Sequence, residues 1–280
     1  MRPVIFGPWT GEFGWELCFW QGRVRRLCNT TYRNYKKIAI SYPGHDVLYD
    51  KVDQFIPLPE FFVDTVRNKT TIQCMGGTHG SPQTYAHLMQ WVRDMSGIVV
   101  DYNHQEFPTN INHRLQDQDL TRLTSGSPRY MGPMICLLPR HRPHEQFRNW
   151  STEKWIALAE MLVRDGFRVI VMGSNESGNT KVVGSGIENL TGQLTLREQI
   201  RYIESSKLGI TSFCGAIRLL SLVGCPILTF GEKNFVETVN RRESNALSQT
   251  YFSTPICLYT KPDSWEFSAV EVHDRIKTCL

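Results

Sequence analysis

The chain has 280 residues, 41% of them hydrophobic and 21% charged, and a net charge of +4. That length holds one large or two small domains, and a charge so small and dispersed does not argue for a nucleic-acid partner. No stretch approaches the ~20 uninterrupted apolar residues of a membrane span, and the N-terminus reaches its glycines before an apolar signal segment develops, so the expected setting is cytoplasmic.

The 8 cysteines are scattered without a C-x-x-C pair, which points to neither a zinc ribbon nor a redox motif. In chain order, the apolar run Val4 to Gly7 predicts a first strand, and GPWTGEFGWEL (7–17) a polar, glycine-rich loop after it. Leu17, Trp20, Val24 and Leu27 stand at helical spacing within 15–28. Strands are expected at 37–42, 55–58 and 70–75, and an amphipathic helix at 82–95 with Pro82 in its first turn. Residues 101–133 are polar, with several prolines and glycines, and make the best connection between domains.

The second half is more regular. Strands are expected at 134–139, 168–173, 208–211 and 226–231, with a short extended piece at 187–190. Helices begin at Ser151 or Thr152, Thr195 and Gly215, and a last one lies within 265–279. Strands alternating with helices of this length predict right-handed βαβ units and parallel sheets. The expected division is 1–130, 131–262 and a terminal segment, 263–280. In such sheets ligands bind at the carboxyl ends of the strands, so the loops that follow the strands are where function is sought.

Three segments of the second half carry a resemblance in order and spacing: PRHRPHEQFRNWSTEKWIALAEML (139–162), RVIVMGSNES (168–177) and NLTGQLTLREQIRYIESSKLGITSFCGAIRLLSLVGCPILTFG (189–231). Together they resemble the donor-binding domain of GT-B glycosyltransferases, most closely the heptosyltransferase-like group. The resemblance implies an α/β fold of two Rossmann-like domains with parallel sheets facing a cleft, an acceptor-binding first domain and a nucleotide-sugar-binding second. It implies inverting transfer of a sugar from a nucleotide-diphosphate donor to a glycan hydroxyl, with no cofactor, and a terminal helix that crosses back to the first domain. The compact length also resembles transferases that large algal DNA viruses use to build capsid glycans, one of them a xylosyltransferase, which implies UDP-xylose as donor. The family's Asp-Thr/Ser-Gly turn is here Phe213-Cys214-Gly215, and Arg218 stands where the family has His.

Inverting transfer needs a carboxylate to take the proton of the attacking hydroxyl and positive groups for the departing diphosphate. The family's acidic residue after the first strand falls on Gly11-Glu12, with Glu16 one helical turn further as its competitor. Glu12 is also explained as a first-turn carboxylate facing a helix dipole. Trp9, in the loop, is expected as a sugar-stacking face, and Gly11 and Gly14 as room for the acceptor. Arg140, Arg142 and Arg148 follow a buried strand, and guanidinium groups bind phosphate in pairs of hydrogen bonds; a solvated basic loop would look similar. Ser174 and Glu176 are placed for ribose or base, and Ser212, Gly215, Ala216 and Arg218 for phosphate at a helix N-terminus. Asp117-Gln118-Asp119 is formally a D-x-D metal motif, but it sits in a helical, polar pattern, so no metal is expected. A dinucleotide-binding oxidoreductase would need G-x-G-x-x-G after the first strand, which GPWTGEFG lacks. A non-catalytic binding module is the remaining alternative, favoured by the lost Asp before Cys214.

Overall fold

The computed structural model describes residues 2–67, 82–101, 118–143, 145–175, 178–243 and 254–280. The strand expected at 70–75, Asp117 and Glu176 lie outside the described residues. Two compact units divide at Thr121/Arg122, earlier in the chain than the expected 130/131. The shift has a local cause: Arg122 donates to the Ser221 carbonyl at 2.6 Å and the Thr254 hydroxyl at 2.7 Å, and Leu123 N–H to the Leu222 carbonyl at 3.0 Å. Among the described residues no helix is long and apolar enough to cross a membrane.

The first unit is built on β1 (Val4–Phe6), β2 (Lys37–Ser41), β3 (Gln54–Pro57) and β4 (Ile98–Val100), all parallel, in the order β3-β2-β1-β4. Its core joins Ile5, Ile38 and Ile40 to Phe62, Val63, Leu88 and Val92 from the helices Glu60–Arg67 and Pro82–Asp94. β1 lies between β2 and β4, so the strand order reverses beside it and the loop 7–12 leaves from that reversal point.

The second unit carries β5 (Met134–Leu137), β6 (Arg168–Val171), β7 (Ile187–Asn189), β8 (Leu208–Ser212), β9 (Ile227–Glu232) and β10 (Ile256–Lys261) in one parallel sheet, ordered β10-β9-β8-β5-β6-β7. Strands covered on both faces read as continuous apolar runs, as MICL does. Ser151 caps the helix Thr152–Arg164 by accepting from Lys154 N–H, and Trp155, Leu158, Ala159 and Leu162 form its buried stripe. Thr195 and Glu198 form a capping box at Leu196–Ser205. Here the order reverses between β5 and β8.

Several elements differ from expectation. Residues 15–28 are not one α-helix: a short turn, Phe13–Trp15, is followed by a π turn, Glu16–Trp20, and then the α-helix Gln21–Asn29. β4, β10 and the helices Glu60–Arg67 and Lys233–Glu243 were not among the expected elements. The terminal helix, Ala269–Ile276, spends its apolar face inside the second unit: Phe267, Val272 and Ile276 share a core with Trp155 and Leu158, and Trp150 Nε1 donates to the Phe267 carbonyl at 2.8 Å. The helix expected as a strap to the first domain thus packs its apolar face on the second unit's own core.

Candidate functional site

At the carboxyl edge of the second sheet, the loops after β5 and β8 flank the reversal point. Arg140 is 4% exposed and donates to the Glu145 carbonyl at 3.1 Å and to the Asn149 amide oxygen. The same Asn149 accepts from Arg142 N–H at 3.2 Å and donates to the Arg142 carbonyl at 2.7 Å, so it organises the turn between the two arginines. Burial, reinforced by the nearby charge of Arg148, lowers the Arg140 guanidinium to about 10. Arg148 pairs with Glu145 at 2.5 Å, donates to the Phe213 carbonyl at 2.6 Å and lies over the Phe235 ring at 4.7 Å. It therefore ties the β5 loop to the β8 loop.

The β8 loop runs from Ser212 to Gly215, the N-cap of the helix Ala216–Val223, which as a glycine supplies no side-chain cap. A Cβ at Gly215 would lie 3.5 Å from Arg218 Nη1, so that guanidinium sits over the start of the helix. Thr211 Oγ1 donates to the Leu138 carbonyl at 2.9 Å, fixing the end of β8 against the end of β5. Ser212 is 1% exposed, and its hydroxyl finds no hydrogen-bond partner among the described residues. Positive charge, helix-start amides and an unsatisfied hydroxyl together suit an anion.

Ser174 lies in the loop after β6, where its carbonyl accepts from Gly178 N–H at 2.8 Å. Gly192, at φ +74°, lets Asn175 lie over its backbone: a Cβ there would be 1.7 Å from Asn175 Oδ1. An aromatic group outside the sequence expectations lies on this edge: the half-exposed Phe147 contacts Trp265 at 5.8 Å and Phe235 at 6.3 Å. Only the tertiary structure gathers these three.

In the first unit, Gly7 has φ +111°, and a Cβ would stand 2.5 Å from the Ile40 carbonyl oxygen, so only glycine lets the chain leave β1 this close to β2. Trp9 is 0% exposed and stacks on Trp20 with centroids 5.9 Å apart. It is not a sugar-stacking face, because its ring is spent in the core. A Cβ at Gly11 would lie 2.7 Å from that ring, so this glycine makes room for Trp9 and not for an acceptor. Gly14 lies half-buried in the turn Phe13–Trp15.

The two glutamates separate. Glu12 is half-buried at the N-cap position, its carbonyl accepting from Trp15 and Glu16 N–H at 3.1 Å each. Glu16 is 0% exposed, so its carboxylate cannot touch an acceptor. One oxygen accepts from the Ser41 hydroxyl and from Tyr49 OH at 2.7 Å, and the other meets His45 Nδ1 at 2.7 Å. Burial first, then the charge of Glu16, raises the phenols of Tyr42 and Tyr49 well above their ordinary range, which keeps both as donors. Ser41 and His45 lie in SYPGH, the end of a buried strand and a Pro-Gly turn; a histidine in that setting was the available signal. Asp119, of the D-x-D triplet, accepts from Asn29 at 3.1 Å and stands 3.8 Å from Arg26.

No protein-family model matches the sequence, and no curated protein does. Solved structures do. The chain is similar to E. coli heptosyltransferase WaaC, solved with ADP, at 12% identity and a TM-score of 0.62, covering 99% of this chain and 100% of that one. It is also similar to E. coli ADP-heptose LPS heptosyltransferase II, at 14% identity and 0.59, covering 100% and 98%. A glycosyl transferase family 9 protein from Veillonella parvula matches at 10% and 0.57, covering 99% and 95%. At such identities the likeness is one of fold: the chain has the GT-B fold.

Proposed function

We propose that this chain is an inverting glycosyltransferase that moves a sugar from a nucleotide-diphosphate donor, bound by the second unit, to a hydroxyl of a glycan acceptor, bound by the first. The observation that carries this is the edge between β5 and β8, where Arg148 joins two loops beside Arg140, Arg218 covers a helix start and the buried Ser212 hydroxyl is left unsatisfied. Charge develops on the diphosphate as the glycosidic bond breaks, and fixed guanidinium groups and helix amides stabilise it without reorganising. These groups do that work without a metal. Ser174, on the loop after β6, is assigned to the nucleoside, and so is Glu176, which follows it in sequence.

The attacking hydroxyl must give up its proton at the carboxyl edge of the first sheet. Glu12 and His45 reach the surface there, whereas Glu16 acts only through what it touches. UDP-xylose, implied by the resemblance to viral capsid-glycan transferases, and ADP-linked sugars, of the kind named with the structural neighbours, are the donors to screen first.

The test is thermal-shift screening of ADP, UDP and their sugars, followed by product analysis with the tightest binder. Stabilisation by a nucleotide diphosphate together with sugar transfer supports the proposal. Stabilisation without transfer would favour the binding-module reading, and no stabilisation at millimolar ligand would sink the donor site.

A further inference from the structure

We infer that the proton of the acceptor hydroxyl passes to His45, held in place by the buried carboxylate of Glu16. The inference rests on the glycosyltransferase reading and names the group that serves it.

Glu16 begins the π turn Glu16–Trp20, a distortion that often marks functional positions. It is wholly buried, and a charge in that setting must be matched by donors. Ser41 and Tyr49 donate to one oxygen, and His45 Nδ1, 2.7 Å from the other, is the one ionisable cation paired with it among the described residues. Both tyrosines near the carboxylate stay protonated, so the network contains donors only, and the imidazole must present N–H at Nδ1. With Nδ1 donating to Glu16, the neutral ring carries its lone pair on Nε2, which makes no hydrogen bond to the described residues.

His45 is 19% exposed, on the turn after β2, the strand that pairs with β1. Its ring lies 5.0 Å from that of Phe13, the neighbour of Glu12, and 5.8 Å from that of Tyr42. A base oriented by a third group and open on its far nitrogen is the geometry that general-base catalysis requires. The titratable groups around it are Glu16, Tyr42 and, through the shared carboxylate, Tyr49, with Asp46 next on its own turn.

The step balances. The Nε2 lone pair takes the hydroxyl proton as the acceptor oxygen bonds to the donor's anomeric carbon. The bond from that carbon to the nucleotide diphosphate breaks, and its electron pair leaves with the diphosphate. The imidazolium formed pairs with the buried Glu16 carboxylate 2.7 Å from Nδ1. Glu16 is a positioning residue, and Glu12 remains a hydrogen-bonding group for the acceptor.

The test uses the full chain with the donor found by screening. His45→Ala is expected to lower kcat by about 10²- to 10⁴-fold while keeping the thermal shift with nucleotide diphosphate. Added imidazole should restore turnover to His45→Ala and do nothing for Glu16→Gln. The wild-type rate is expected to fall at acid pH as a general base is protonated, and His45→Gln, which keeps a polar contact to Glu16, should lose that fall. Turnover of His45→Ala within about threefold of wild type, a constant far below the effect general-base loss produces, would overturn the inference, and so would an unchanged acid limb in His45→Gln. If the wild type transfers no sugar, the functional reading falls with it; if the wild type transfers and the variants behave like it, only this inference falls.

Discussion

Arg148 Nη2 donates to the carbonyl oxygen of Phe213, 65 positions along the chain, at 2.6 Å, joining two loops that leave neighbouring strands. A guanidinium can hold that carbonyl and Glu145 at once, whereas an ammonium presents no such fork. Both Arg148→Ala and Arg148→Lys should therefore release the β8 loop. A hydrogen bond from a charged group is worth about 1.5–3 kcal/mol, so affinity for nucleotide diphosphate should fall about 10- to 100-fold. Calorimetric titration checks this, and full affinity in the lysine variant would refute the bridging role.

Arg218 lies over Gly215 and the helix start, so its contribution should fall on the phosphates alone. Arg218→Ala should weaken nucleoside diphosphate binding by about 10-fold or more, with binding of the free nucleoside unaffected. Equal weakening of both ligands would place Arg218 at the base or ribose instead.

Trp9 and Gly11 are predicted to be structural. Trp9→Ala empties the stack against Trp20 and should cost about 3–5 kcal/mol of stability. Gly11→Ala pushes a methyl against the same ring and should cost about 1–3 kcal/mol. Denaturant midpoints measure both. A Trp9→Ala variant of undiminished stability but raised acceptor KM would return Trp9 to a sugar-binding role.

Glu12→Gln keeps the hydrogen-bonding shape and removes the charge. With His45 taking the proton, the expected effect is a raised acceptor KM with a smaller change in kcat. A fall in kcat of about 10²-fold or more, with loss of the acid limb, would make Glu12 the base.

Stability should depend on Glu271 in acid. Lys261, 2.6 Å away, and then Ser268 hold its carboxyl down at about 2, against ~4.3 for an unstructured glutamate. A carboxyl lowered on folding contributes wherever it is ionised in both states, so the contribution is complete above about pH 5, shrinks below that and is gone as pH falls through about 2. Glu271 is 40% exposed, which keeps the contribution below ~1 kcal/mol. Comparing urea midpoints of wild type and Glu271→Gln across this range tests it: the gap should close toward low pH, and a gap that widened would contradict the assignment.

Local chemistry was legible in the chain because it depends on neighbours in sequence. The buried runs VIF, MICL and RVIV, the caps Ser151 and Thr195, and the arginine-rich loop after β5 all announce themselves within a few residues. They specify parallel α/β units and put the candidate site at the strand ends. β4 was missed because three residues carry too little periodicity, and the helix Lys233–Glu243 because it is mostly polar.

Burial and partnership belong to tertiary structure. Nothing in GPWTGEFGWEL distinguishes Glu12 from Glu16; parallel pairing of β1 with β2 does, because it carries Ser41 and His45, 25 and 29 positions away, onto Glu16 and leaves Glu12 toward the surface. The same packing turns Trp9 inward and makes Gly11 the space for its ring. The terminal helix likewise displays its apolar face in sequence, but only the core around Trp155 decides which unit covers it. Residue spacing specifies which face of an element is apolar or charged, and the crossing of distant strands determines what that face meets.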